Sequence, residues 1–262
     1  MILIYSLIGL VALFGLTWWV ASRINNYSIV DAVWSLSFAG VAGGYIWFGE
    51  GWVVRKALVG GLVILWSLRL GLYLSWRISR HHPQEDKRYS VLRNKWQSAL
   101  DRNFLLFFEV QGFLVWFLMM LVYGIIQNKQ VGFLLIEWVG LLVFIVSIIG
   151  EGIADEQLKQ FKAKRHRGET DKEVCDEGLW GYSRHPNYFF QSLLWWGLAL
   201  ICSVLPYGWL GFLAPLVMSH FLMNVTGIPL TETLAVESKG EEYVAYQKRV
   251  RPFFLWKKKS MS

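Results

Sequence analysis

Arg69, Tyr73 and Arg77 stand four residues apart inside one apolar run, so they share a single face of a helix. Arg69 lies about 15 Å inside the end of that run at 1.5 Å per residue. A guanidinium at such depth costs at least ~2.5–3.5 kcal/mol in lipid, so it should face a partner or a wet cavity. Arg77 is close enough to the end to snorkel. Asp31 sits at the start of the preceding run. Its carboxylate suits the first turn of a helix, where the dipole favours negative charge. It could also pair with Arg69 or face a cavity, and a carboxyl taken out of water can stay protonated and donate a hydrogen bond. Asp155, Lys159 and Lys162 share a helix face by spacing, and 162–167 holds Lys162, Lys164, Arg165, His166 and Arg167, a local positive potential suited to an anion or to lipid headgroups. The polar stretch 177–188 runs into an apolar one at Pro186, a residue that fits a first helical turn. A helix starting there points free N–H groups at its mouth, and with Arg184 beside them they suit a phosphate. Glu232, Tyr243 and Arg249 fall in a polar tail that reads as an amphipathic surface helix stopped at Pro252.

These residues need elements to hold them. The chain has 262 residues, 55% of them hydrophobic and 17% charged, with 15 Trp, against about 25% charged in soluble domains. Seven runs approach the ~20 apolar residues of a membrane helix: 2–22, 28–48, 56–79, 104–126, 132–150, 188–204 and 208–227. The first has no basic flank before it and no small-residue cleavage site, and reads as a retained span. The expectation is an all-α, polytopic membrane protein of seven transmembrane helices forming a single domain over 1–262. With the loops assigned alternately, 21 of the 26 Lys and Arg fall on one side. The positive-inside rule then puts the C-terminus in the cytoplasm and the N-terminus outside. This sidedness accounts for the net charge of +7 without nucleic acid. Lys257-Lys258-Lys259 reads as a contact with anionic membrane lipids. Two cysteines are too few for a disulfide framework. No His pair has metal-ligand spacing, and no P-loop, strand-borne G-x-G-x-x-G or G-x-S-x-G occurs.

The run Gly178-Leu179-Trp180-Gly181-Tyr182-Ser183-Arg184-His185-Pro186-Asn187-Tyr188 resembles the signature of the membrane steroid 5-alpha-reductase superfamily. The tail 239–253 resembles that family's C-terminal end, and 26–34 looks like its bacterial DUF1295-type branch. The resemblance is most specific over 150–252. It implies a seven-helix fold that binds NADPH from the cytoplasmic side, with a cofactor segment at 151–252, in a multi-pass protein of the bacterial inner membrane. The activity it implies is reduction of a carbon–carbon double bond conjugated to a carbonyl in a steroid-like or other lipid. Matched by position, Arg69, Arg77, Asp155, Lys162, Trp180, Arg184, His185, Asn187, Tyr188, Glu232, Tyr243 and Arg249 fall to the cofactor. Asp31 or Tyr73 would be the acid near the substrate carbonyl. Gln191, Trp66 and Leu230 depart from the family pattern, at the acidic end of the signature, at a carbonyl-polarising tyrosine and at an arginine before Glu232.

The R-H-P-x-Y run and the E…G-x-x-Y-x-x-Y tail are also similar to isoprenylcysteine carboxyl methyltransferases, which use S-adenosylmethionine. The Arg-Tyr-Arg face and the basic 159–167 cluster favour a cofactor carrying several phosphates, hence NADPH.

Overall fold

Backbone groups in hydrocarbon find no water, so long apolar runs satisfy them internally as helix. The computed structural model describes residues 1–256. Its α-helices are α1 (Ile2–Arg23), α2 (Ile29–Phe48), α3 (Val53–His81), α4 (Lys87–Lys95), α5 (Leu100–Gln127), α6 (Leu135–His166), α7 (Pro186–Cys202), α8 (Leu213–His220) and α9 (Ile228–Arg249). Short 3-10 turns cover 97–99, 178–181 and 208–212, and a π turn covers 221–225. Among the described residues there is no β-strand; Ser183 and Arg251 form an isolated parallel bridge.

Among the described residues, six segments, not seven, are long and apolar enough to cross a membrane: α1, α2, α3, Gln97–Gln127, α6 and the helical relay Gly208–Arg249. The run expected at 188–204 folds as α7, with 17 residues. That is about 25 Å of helix, short of a ~30 Å hydrocarbon core. The N-outside, C-inside orientation required an odd number of crossings and finds no support in six. The segment 151–166, expected in a loop, continues α6, and the loop expected at 80–103 contains α4. Lys257-Lys258-Lys259 lies outside the described residues.

The chain divides into two compact units, Met1–Leu134 with Cys202–Tyr207, and Leu135–Ile201 with Gly208–Ser262. In the first, α2 and α3 approach closely. The buried Ser67 hydroxyl donates to Ser35 O (2.5 Å) and accepts from Ala39 N–H (2.9 Å), splicing α3 into the hydrogen-bond ladder of α2. One turn on, a Cβ at Gly71 would stand 2.5 Å from the Leu36 side chain. The fully buried Arg55 fastens the start of α3 by donating to Gln130 O (2.8 Å) and Gly132 O (2.7 Å). The turn between α1 and α2 is tied to the 82–99 segment. Tyr27 N–H donates to Glu85 Oε1 (2.6 Å), Asp86 N–H to Ser28 Oγ (2.8 Å), and the Tyr27 ring stacks on Phe104 at 3.6 Å. Asp86 also caps α4 by accepting from Arg88 N–H.

In the second unit, α6 and α7 meet through glycine. A Cβ at Gly140 would stand 2.6 Å from Gly197 O, and one at Gly150 2.3 Å from the Phe190 ring. The 208–220 segment runs back along α7, with Ser192 Oγ 2.6 Å from Ser219 Oγ and Trp196 against Phe212. Pro229 sits in the first turn of α9, where a missing N–H leaves nothing unsatisfied. Gly240, at φ +58°, breaks that helix. The tail expected to run as a helix to Pro252 ends at Arg249, and Val250 is extended. Its Tyr243, Tyr246 and Val250 are buried with Val174.

Replacing Gly140 by Leu should lower stability by about 1–3 kcal/mol, the range for overpacking a tight contact. Gly61, whose Cβ would meet nothing within 4 Å, serves as control: Gly61→Leu should leave the melting temperature in detergent within a degree or two of wild type.

Candidate functional site

The second unit is organised around one carboxylate. Glu232 lies in the first turns of α9, and its side chain is only 12% exposed. Its Oε1 accepts from Arg184 Nε (2.8 Å), His185 Nε2 (2.7 Å) and Tyr243 OH (3.0 Å). Its Oε2 accepts from Arg184 Nη2 (2.8 Å) and Gln247 Nε2 (2.5 Å). The Arg184 contact is a bidentate fork, the strongest geometry for a guanidinium on a carboxylate. Because the carboxylate only accepts, His185 carries its proton on Nε2.

The donors are themselves held. Arg184 Nη1 donates to Gln247 O (3.1 Å) and Val250 O (2.5 Å), and Arg184 N–H donates to Arg251 O (2.9 Å). Ser183 Oγ donates to Phe253 O (2.8 Å). These bonds zip 183–184 to 250–253. The 3-10 turn before them is pinned to α6, since Trp180 Nε1 donates to Ala154 O (2.9 Å) and Leu179 N–H to Gln157 Oε1 (2.9 Å). Gly178 above Gln157 has φ +56°, a backbone that favours glycine. Tyr246 OH closes the frame on Trp180 O (2.5 Å). Glu242 accepts from Glu173 N–H and Val174 N–H, both at 3.0 Å. The His185 ring stacks on Tyr188 at 5.4 Å.

Beside this frame is a concentration of positive charge. Lys239 Nζ lies 5.4 Å from the centre of the Tyr243 ring, and its ammonium feels the repulsion of Lys162 and Arg165. Arg165 is also paired with Glu173. The fit for a phosphate-bearing ligand rests on this convergence, since the Arg184 fork is already occupied by Glu232.

Thus Trp180, Arg184, His185, Glu232 and Tyr243 come together as one bonded cluster. Asn187 and Tyr188 follow in the first turn of α7, where Asn187 Oδ1 accepts from Tyr188 N–H (3.0 Å). Arg249 faces Asp176 at 3.6 Å, one step outside the cluster. Asp155 and Lys162 sit on α6. Asp31, Arg69, Tyr73 and Arg77 belong to the first unit. There, Asp31 Oδ2 accepts from Arg88 Nη2 (2.8 Å) and Oδ1 from Tyr89 OH (2.6 Å). Arg88 also binds Asp86, which Arg77 approaches at 3.6 Å. With both oxygens accepting, the Asp31 carboxyl offers no hydrogen of its own in this arrangement. Burial and then the Asp31 charge push the Tyr89 phenol well above its ordinary range. Burial works to raise Asp86, but Arg88 and Arg77 outweigh it and hold the carboxyl below its usual range.

Sequence reasoning missed Arg88, Tyr89, Tyr246 and Gln247. Gln247 stands four residues after Tyr243, so helical spacing was a signal for it. Nothing local marked Arg88 or Tyr89 among the other charged residues of 80–103. Among the described residues, no group of three or more His, Cys, Asp or Glu could hold a metal ion.

A family model of proteins of unknown function, DUF1295, matches residues 17–250. The chain belongs to the DUF1295 family. This DUF1295 protein is similar to "Uncharacterized protein C594.04c" of Schizosaccharomyces pombe, 24% identical over 270 residues that cover 90% of this chain and 75% of that protein. No solved structure matches it.

Two consequences can be measured. Glu232→Gln removes the charge that holds the Arg184 fork and should cost about 3 kcal/mol, the lower end for breaking a buried pair; a thermal melt in detergent reads it. Burial holds the His185 imidazole below its ordinary 6.5, with the Glu232 bond and charge opposing and Arg184 and Lys239 adding to the effect. The unfolded chain therefore takes up a proton that the folded chain refuses. That share of stability is complete above about pH 6.5 and is lost as pH falls from there through the lower folded-state value. His185→Gln, which keeps an N–H donor, should flatten this part of the pH–stability curve.

Proposed function

We propose that this DUF1295 protein is a membrane oxidoreductase that uses NADPH to reduce a carbon–carbon double bond conjugated to a carbonyl in a lipid. What supports the reading is that 178–188 and 239–253 are bonded into one frame around Glu232, with Lys239 5.4 Å from the centre of the Tyr243 ring and within electrostatic reach of Lys162 and Arg165. Like charges at close range destabilise one another, and a multiply charged anion removes that cost. The resemblance of 178–188 and 239–253 to a reductase signature supports it, because these two stretches are the ones zipped together.

In this reading Lys162, Arg165 and Lys239 hold phosphates, and Asn187 and Tyr188 at the mouth of α7 present amide and ring to the rest of the cofactor. NADPH, when bound, supplies a hydride. Glu232 does not touch the substrate; it holds Arg184, His185 and Tyr243 in place. In the first unit, Asp31 orients the Tyr89 hydroxyl.

One observation favours the second reading, an S-adenosylmethionine-dependent methyltransferase. The Arg184 fork is committed to Glu232, so the motif itself leaves no arginine for a phosphate. The two readings part on ligand-induced stabilisation, since a ligand binding only the folded state raises its melting point. NADPH should raise the melting temperature of the purified protein by several degrees and S-adenosylmethionine should not. A triple Lys162→Ala, Arg165→Ala, Lys239→Ala variant should lose the NADPH shift, and Asn187→Ala should weaken it. A shift with S-adenosylmethionine alone would decide for methyl transfer.

A further inference from the structure

The two ends of the first unit use their cations differently. At the end where α2 closes and α3 begins, the cations are engaged inside the chain. The buried Arg55 donates to Gln130 O and Gly132 O, Lys56 Nζ donates to Gly49 O (2.6 Å) and Ile46 O (3.2 Å), and Lys129 pairs with Glu50 at 2.9 Å. The other end gathers the close of α1, the start of α2, the close of α3, α4 and the start of α5, joined by the Tyr27–Glu85, Ser28–Asp86 and Arg77–Asp86 contacts and by the Tyr27–Phe104 stack. Its carboxylates Asp31, Glu85 and Asp86 are met by Arg88, Arg93 and Arg77. Arg23, Arg80, Lys87, Lys95 and Arg102 are left over: all are exposed, with no ion-pair partner among the described residues, against one further carboxylate, the exposed Asp101.

Two of these cations are mounted on tryptophan. The Arg23 guanidinium lies over the Trp19 ring at 5.5 Å, and that of Arg80 over the Trp76 ring at 5.1 Å. Each pair is spaced i, i+4 in the last two turns of a candidate membrane span, and both indoles face outward, at 50% and 45% exposure. An indole is favoured where hydrocarbon meets headgroups. An arginine four residues nearer the helix end reaches about 6 Å further out, to headgroup depth. A guanidinium held over a ring keeps its in-plane N–H donors for a phosphate. The helix dipole accounts for a cation in a last turn. It opposes Lys87 and Arg102, which stand in the first turns of α4 and α5, so the charge at this end needs another partner.

We propose that this end of the first unit is a docking surface for anionic phospholipid headgroups. Arg23 and Arg80 hold headgroup phosphates above their tryptophans, and Lys87, Lys95 and Arg102 add the charge that prefers an anionic lipid to a zwitterionic one. A zwitterionic headgroup brings a cation of its own and gains little from this field. A nucleic acid would be drawn by the same charge, but the two indoles at the foot of the surface belong to candidate membrane spans, which places lipid there. The surface lies wholly within the first unit and is independent of the cofactor reading.

The test titrates delipidated full-length protein in detergent with an equimolar mixture of phosphatidylglycerol and phosphatidylcholine of the same acyl chains, read by native mass spectrometry. The wild type should retain phosphatidylglycerol several-fold over phosphatidylcholine. Arg23→Gln, Arg80→Gln, Lys87→Gln, Lys95→Gln and Arg102→Gln together change only exposed side chains, so this variant should melt near the wild-type temperature and lose most of that preference. Trp19→Ala with Trp76→Ala keeps the five cations and should still weaken phosphatidylglycerol binding several-fold. Lys129→Gln, at the opposite end, should leave the ratio unchanged. Equal retention of the two lipids by the wild type, or an undiminished preference in the folded five-site variant, would overturn the proposal. So would displacement of the bound lipid by inorganic phosphate or by a single-stranded oligonucleotide, which would mark a general anion surface in place of a lipid one.

Discussion

A carboxylate kept mostly out of water must be met by donors, or the chain will not bury it. Glu232 is met by four side chains, and they come from two widely separated stretches, 184–185 and 243–247. These bonds bring α9 against the entry of α7. The rest of the second unit follows from that demand. The bonds of 183–184 to 250–253 fix where the chain after α9 goes, and Trp180 and Gln157 fix the entry turn on α6.

The first unit solves an analogous problem with a different partner. Asp31 at the start of α2 is met by Arg88 and Tyr89, and Glu85 is met by Arg93 and the Tyr27 backbone. Both pairings tether α4 and its flanks to the turn between α1 and α2. Each unit thus holds a charged group at the edge of an apolar bundle by folding a polar segment over it. A segment held by charge-assisted bonds is firmer than an ordinary connecting loop. It can therefore carry side chains in fixed directions, which binding and catalysis require.

Family membership and geometry bear on function from different directions. DUF1295 membership says which proteins this chain resembles and not what they do. Beside the polar frame, Lys239 lies within electrostatic reach of Lys162 and of Arg165, which is itself paired with Glu173. Electrostatics of that kind asks for an anion and is indifferent to the chemistry that follows, so a dinucleotide is chosen on its charge and on the resemblance of the motif.

The sequence by itself determined that the chain is helical and membrane-like, because apolar runs of twenty residues have no other way to satisfy their backbone. It also singled out Arg184, His185, Glu232 and Tyr243, by resemblance to a family pattern, and the fold bonds these four together. It did not give the right number of crossings: the 188–204 run taken as a span has 17 residues, the same as α7 (Pro186–Cys202), which is about 25 Å of helix against a ~30 Å hydrocarbon core. Nor did it give Asp31 its partners: a charge at a helix start fits a dipole, a buried arginine or a cavity equally well. Only the tertiary structure chose Arg88 and Tyr89, because such partners are set by which segments the fold lays side by side, and local spacing carries no record of that.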